Sequence, residues 1–220
     1  MISTFISSVA PAVKGKGSVA DVYSDKTDDN FGIGEGLAFH ADAEDNIALG
    51  ENALNSTSGA AVYNIGIGTN ALTAVTTGSY NIGVGFQAGD ALTTANKNTL
   101  LGRGTLSVQT TGTDNVVVGY EAMNATPAAT AISKCVAIGT EALKGSASTT
   151  TGVDGTVAIG YKAFNVLTSG ANNVAIGENA GLLMTTNNAC IAIGSGALQA
   201  ADGGDDYNIA IGYNAGYGIN

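Results

Sequence analysis

Short apolar triplets recur along the chain, each with a small residue between two larger apolar ones. A glycine follows every triplet, and successive glycines lie 16 to 21 residues apart, most often 17. A fixed period of this length predicts a β-solenoid in which each repeat forms one coil. The eleven glycines are Gly34, Gly50, Gly68, Gly85, Gly102, Gly119, Gly139, Gly160, Gly177, Gly194 and Gly212.

The two apolar columns of the triplet lie one and three residues before the glycine, and among their 22 positions only Thr99 is not apolar. Residues two apart on a strand share a face, so the pattern predicts that both columns point into the coil. The position between them is Gly or Ala in all repeats except those with Leu100 and Val117. We expect this small-residue face to lie outside and to pack closely against a neighbouring subunit. The alternative is a second buried face within the same chain.

Two further columns complete the repeat. Ala stands three residues after the glycine in nine of eleven repeats, usually followed by Leu, Met or Phe, which predicts a second short strand beyond a glycine corner. Asn stands four residues before the glycine in eight of eleven repeats. Stacked at about 4.8 Å per coil, these side chains would form an amide ladder with a structural role.

The best-formed repeats are Asn173 to Ala180 (NVAIGENA) and Asn208 to Ala215 (NIAIGYNA). Their pattern is similar to the head repeats of trimeric autotransporter adhesins, and it more closely resembles repeats of bacteriophage tail fibres and related virion proteins. The resemblance covers residues 30–216 and implies an all-β fold, a left-handed parallel β-roll of about eleven 17-residue coils, assembled as a homotrimer. It also implies a role in display and attachment.

The departures from the adhesin pattern favour a virion protein. The coils are longer than those of the adhesins, and we expect neither a coiled-coil stalk nor a membrane anchor. The leading hypothesis is a non-enzymatic structural protein of the virion surface, either a tail-fibre or spike segment or a capsid decoration protein. The alternatives are the head of a bacterial cell-surface adhesin and a polysaccharide depolymerase.

Two domains are predicted, a non-repetitive segment over residues 1–29 and the β-roll over residues 30–220. In a virion, the first would be a docking arm that binds other virion proteins; a simple cap on the first coil is the alternative. The apolar residues expected to dock are Ile2, Phe5, Ile6 and Val9.

Charge and composition exclude several other partners. The chain has a net charge of −10 with only 8 Lys and Arg, so it lacks the basic patch that nucleic acid requires. No apolar run reaches 18 residues, so no membrane insertion is expected.

Catalytic and cofactor chemistry finds little support. His40 is the single histidine and has no nucleophile motif near it. Cys135 and Cys190 fall in the Asn column three coils apart, roughly 14 Å, which is too far for a disulfide and predicts free, buried thiols. We expect no cofactor or metal. The acidic clusters, interpreted as solvated turns with calcium binding as the alternative, are Asp42, Glu44 and Asp45, and Asp202, Asp205 and Asp206.

Candidate receptor sites lie in two overlong linkers, 124–134 and 144–155. Loops that leave a rigid solenoid are common binding sites, although tolerated insertion is the plainer interpretation. Aromatic side chains one residue after the glycine could stack on host glycans. The candidate residues are Pro127, Thr130, Ser146, Thr149, Tyr120 and Tyr161.

Overall fold

The computed structural model describes residues 29–37, 39, 43–58, 61–124, 131–145, 152–200 and 206–218, and the backbone of 22–24. Within these residues the chain forms twelve three-residue strands and no helix. The strands are β1 (Val22–Ser24), β2 (Phe31–Ile33), β3 (Ile47–Leu49), β4 (Ile65–Ile67), β5 (Ile82–Val84), β6 (Thr99–Leu101), β7 (Val116–Val118), β8 (Val136–Ile138), β9 (Val157–Ile159), β10 (Val174–Ile176), β11 (Ile191–Ile193) and β12 (Ile209–Ile211).

All twelve strands form one sheet in sequence order. Strands β2 to β12 are parallel and pair without any shift of register, so that Ala158 lies opposite Ala137 on one side and Ala175 on the other. Each repeat therefore stacks directly on the one before it. The predicted parallel β-solenoid with coils of about 17 residues is confirmed.

The N-terminal edge of this sheet is covered by a strand from outside the repeats. Strand β1 pairs antiparallel with β2, and Tyr23 lies opposite Gly32. An uncovered edge presents unpaired backbone groups, so this strand closes the first coil. Residues 22–24 thus behave as the cap considered for the N-terminal segment, while the proposed docking residues Ile2, Phe5, Ile6 and Val9 lie outside the described residues.

The two faces of each strand point in the opposite directions to those predicted. The small-residue column points into the coil, where Ala137 and Ala158 are completely buried, whereas the Ile, Val and Leu columns point outward and Leu101 is 50% exposed. The reason is the narrow interior: a Cβ added to Gly83 would lie 2.8 Å from Cγ of Leu72. In most coils the large side chain that faces the strand leaves room only for a small residue, although Leu100 and Val117 are also buried in this column.

The predicted second strand is a turn. In most coils the large side chain that fills the interior stands four residues after the glycine and has a positive φ, for example 52° at Leu72, 48° at Leu143 and 49° at Phe164. This left-handed backbone costs an L-residue about 1–2 kcal/mol, and it breaks the extended chain. In return it aims the side chain into the core, where Leu72, Leu143 and Phe164 are fully buried.

The glycine that follows each strand forms a tight corner of the coil, as expected. Gly139 has a φ of 132°, and a Cβ there would lie 2.5 Å from the carbonyl oxygen of Gly160 in the next coil. Both the backbone conformation and the close approach of neighbouring coils therefore require glycine.

Candidate functional site

A buried asparagine ladder runs beside the strands. Oδ1 of Asn98 accepts hydrogen bonds from the backbone N (3.1 Å) and Nδ2 (3.0 Å) of Asn115 in the next coil. Nδ2 of Asn98 donates to Oδ1 of Asn81 (3.0 Å) and to the carbonyl of Gly112 (2.9 Å). The pattern is unbroken from Asn30 to Asn115. The predicted amide ladder is confirmed, and its polar groups are consumed in holding coils together.

Three coils interrupt the ladder, with Cys135, Thr156 and Cys190 in place of Asn. The backbone N of Cys135 still donates to Oδ1 of Asn115 (3.0 Å), and its Sγ lies 3.2 Å from the carbonyl oxygen of Val153. Burial raises the pKa of the Cys135 thiol to about 11. Neither cysteine forms a disulfide and both are buried, as predicted. Oγ1 of Thr156 is buried without a hydrogen-bond partner.

A second polar ladder, which the sequence analysis missed, lies six residues before the glycine. Here the backbone N of one coil donates to a side chain of the following coil, as from Ser79 to Oδ1 of Asn96 (2.9 Å) and from Asn188 to Oδ1 of Asp206 (2.7 Å). The signal was present as a column rich in Ser, Thr, Asn and Asp. It gives Asp206 a structural role as an acceptor at a solenoid turn.

The outer sheet face is a continuous apolar stripe made of the two columns that precede the glycine by one and three residues. Phe31 is 39% exposed, Ile82 38% and Ile176 37%, and the last coil is the most open, with Ile209 68% exposed. Eleven stacked strands carry this stripe along the rod. A contiguous exposed apolar surface is a candidate interaction face.

One edge of the apolar stripe carries a row of aromatic and charged side chains, one and two residues after the glycine. The guanidinium of Arg103 lies 5.6 Å from the ring centre of Phe86 and 5.3 Å from that of Tyr120. It also donates to the Tyr120 hydroxyl (3.1 Å) and pairs with Glu121 (3.1 Å). Arg103 thus joins three successive coils.

The row continues as an ion-pair chain. Nζ of Lys144 lies 3.1 Å from Glu121 and 2.8 Å from Glu141, and Lys162 lies 3.6 Å from Glu141. Hydrogen bonds from Lys144 lower the pKa of both glutamates, and the one to Glu141 raises the pKa of Lys144. A depolymerase would need a carboxyl group with a raised pKa to act as general acid. Glu121 and Glu141 are therefore held as anions and suit an ion pair, not acid catalysis.

Of the predicted receptor residues, Tyr120 and Tyr161 can be placed. Each is 47% exposed in the same column, two coils apart. A cation lies over each ring, Arg103 over Tyr120 and Lys162 over Tyr161 at 5.2 Å. Pro127, Thr130, Ser146 and Thr149 lie outside the described residues.

The opposite edge of the stripe holds a feature that the sequence analysis did not single out. Tyr63 and Tyr80, five residues before the glycine in successive coils, stack with ring centres 5.1 Å apart. A depression of about 310 Å³ lies beside Tyr80.

His40, Asp42, Asp202 and Asp205 also fall outside the described residues, so their expected roles are not tested. Among the residues that are described, no three His, Cys, Asp or Glu side chains are grouped as metal ligands would be. The same part of the chain contains no helix long and apolar enough to span a bilayer. Comparison with protein-family models, curated proteins and solved structures finds no match to this chain.

Proposed function

We propose that this protein is a homotrimeric structural component of a virion surface, a tail-fibre or spike segment or a capsid decoration protein, that serves display or attachment without catalysis. The observation that carries the proposal is the apolar stripe on the outside of the sheet. A rod that exposes such a face along its whole length needs a cover of equal length and matching period.

Further copies of the same chain fit that requirement. Their strands repeat at the same spacing of about 4.8 Å, so identical stripes can pack in register over all coils. If the stripe buries on the order of 1,000 Å² per chain, shared between two neighbours in a trimer, each pairwise contact buries about 1,000 Å² in total, which is the least expected of a specific interface. The small residues, which we expected from the sequence to form the subunit contact, are buried inside the coil, so we propose that the Ile, Val and Leu columns form it.

The structure of a single coil agrees with a mechanical role. The core, the amide ladder and the glycine corners all connect neighbouring coils, and eleven coils make a rod of roughly 50 Å. The amide groups of the ladder are used in these connections. Attachment is therefore assigned to the surface of the rod, to the long linkers and to residues 1–29, which would dock on other virion proteins.

Sedimentation velocity tests the assembly. The purified chain should sediment as a trimer at micromolar concentration. The double variant Val118→Glu and Ile138→Glu, which places charges on the stripe of two adjacent strands, should release folded monomers with unchanged circular dichroism. The control Thr111→Glu, at an exposed linker position, should remain trimeric. A wild-type chain that is a stable monomer would overturn the proposal.

The location is tested by imaging. Gold-labelled antibody against the β-roll should decorate purified virus particles at the fibre or the capsid shell. Labelling of bacterial cells that carry no virus would instead support the adhesin alternative, in which the same rod stands on the cell surface.

A further inference from the structure

The tyrosine edge of the rod is built by a left-handed turn that recurs in each coil. Five residues before the glycine, φ is positive at every non-glycine position, for example 59° at Tyr63 and 62° at Tyr80. This corner projects the side chain away from the coil, and Tyr63 and Tyr80 are 49% and 53% exposed. The central members of this row, in order along the rod, are Asp45, Tyr63, Tyr80, Lys97, Asp114 and Lys134.

The two rings form a fixed platform with one face available. Their planes are inclined by only 22° and their centres are 5.1 Å apart, close to the spacing of the coils, so the stack runs along the rod. Asp45 is hydrogen-bonded to Tyr63, and the negative charge of Asp45, more than that bond, raises the pKa of the tyrosine. Tyr63 covers one face of the Tyr80 ring; the other face is directed towards the next coil, which carries Lys97.

A depression of about 310 Å³ lies on that side, within the range of about 300–1,000 Å³ of small-molecule sites. Its lining combines the aromatic ring with one cation, one carboxylate, one amide and one hydroxyl. These residues are Tyr80, Lys97, Asp114, Asn96 and Thr113.

We propose that this depression binds a neutral hexopyranose unit of a surface glycan, with one face of the sugar on the Tyr80 ring and its hydroxyl groups on Asp114 and Lys97. The C–H bonds of a pyranose face are weakly positive and suit the negative face of an aromatic ring. Hydroxyl groups both donate and accept, so they can use a carboxylate and an ammonium together. The opposite charges of Lys97 and Asp114 offset each other, which favours a neutral sugar over an anionic one.

The contrast with the other edge of the stripe strengthens the assignment. Arg103 lies over Tyr120 and Lys162 lies over Tyr161, so a sugar would have to displace a cation from either ring. At Tyr80 the neighbouring coil leaves a depression instead. The inference rests on the attachment role of the proposed function and moves the sugar contact from the predicted tyrosines to Tyr80.

Saturation-transfer NMR of the full chain with the methyl pyranosides of glucose, galactose and mannose tests the site. At least one glycoside should receive saturation at its ring protons. Tyr80→Ala should weaken that binding at least about fivefold, and Tyr80→Phe, which keeps the ring, should stay within about twofold. Asp114→Asn should weaken it about threefold by removing a charged acceptor. The control Tyr161→Ala should bind as the wild type does.

Three results would overturn the inference. Either none of the three glycosides binds the wild-type chain, or Tyr80→Ala binds as tightly as the wild type. If binding is instead lost in Tyr161→Ala, sugar attachment stands and the Tyr80 site is wrong. Sedimentation of the same variants reports the trimer independently, so failure of this site and failure of the proposed assembly are distinguishable.

Discussion

Two stretches of the same column behave differently inside this solenoid. From Asn46 to Asn115 every coil supplies an amide that is bonded on both sides, whereas Cys135 and Thr156 occupy the next two positions. At Cys135 a sulfur, which is a weak acceptor, replaces the amide oxygen that accepts the backbone N–H of the next coil at Asn98 and Asn115. The strand pairing is identical in both stretches. Because the pairing is the same, the register of the sheet is maintained even where the side-chain ladder is broken.

The strongest test removes an amide from the unbroken stretch. Asn98→Leu should lower the free energy of unfolding by about 4 kcal/mol, because it leaves the Asn115 amide donors and the Gly112 carbonyl buried without their partner. Urea unfolding followed by circular dichroism measures the loss. Thr111→Val, at an exposed linker position, is the control and should change stability by less than about 0.5 kcal/mol. Cys135→Ala, the matched deletion in the interrupted stretch, should cost much less; equal losses would remove the distinction between the stretches.

Substitutions at the corner glycines test whether the unbroken and the interrupted stretches differ in stability only at the Asn column. Gly85→Ala and Gly139→Ala each place a Cβ 2.5 Å from a carbonyl oxygen of the next coil at a φ above 130°. Each should lower stability by about 3 kcal/mol, since the strain and the clash are the same in both stretches. Thermal unfolding of the two variants checks this. A markedly smaller loss for Gly139→Ala would mean that the interrupted stretch is also looser in its backbone.

The third test repairs the ladder. Cys135→Asn should raise the free energy of unfolding by about 1 kcal/mol, because the introduced amide can donate to Asn115 and Val153 and accept from Thr156. Asn98→Cys is the mirror variant and should destabilise the chain. If Cys135→Asn is neutral or destabilising, the thiol already satisfies this position.

The sequence predicted the repeat, its register and the amide ladder because each depends on a residue type at a fixed spacing. The prediction of which strand face points inward was wrong. Alternation shows that two faces differ, but the choice depends on what lies opposite, and the side chain of Leu72 leaves no room for a side chain at Gly83. The left-handed conformation of buried Leu and Phe residues was also hidden, since propensity assigns positive φ to Gly and Asn.

The candidate site likewise has features that the sequence predicted and features that it did not. The sequence predicted Tyr120 and Tyr161 as exposed aromatic residues. It did not predict the cations that lie over their rings, because Arg103 belongs to another coil and Lys162 to another position of the repeat. The stack of Tyr63 on Tyr80 depends on two adjacent coils sharing an aromatic at a variable position. A rule derived from the consensus of all coils does not reveal such a local coincidence.

The smallest effect concerns the surface ion pairs that run from Arg103 to Lys162 across the interrupted coils. The glutamates Glu121 and Glu141 have lowered pKa values, so their contribution is complete above the unfolded value of about 4.3 and is lost as pH falls through the folded values. Lys144 has a raised pKa, so its contribution is complete below about 10.4 and is lost as pH rises through the folded value. Lys144→Met should therefore cost about 0.5 kcal/mol near neutral pH, since these side chains are only partly buried, and almost nothing at pH 3. Thr111→Met, at an exposed and uncharged position, is the control and should change stability equally at neutral pH and at pH 3. A loss for Lys144→Met that persists unchanged at pH 3 would mean that packing of its methylene chain, not its charge, ties these coils together.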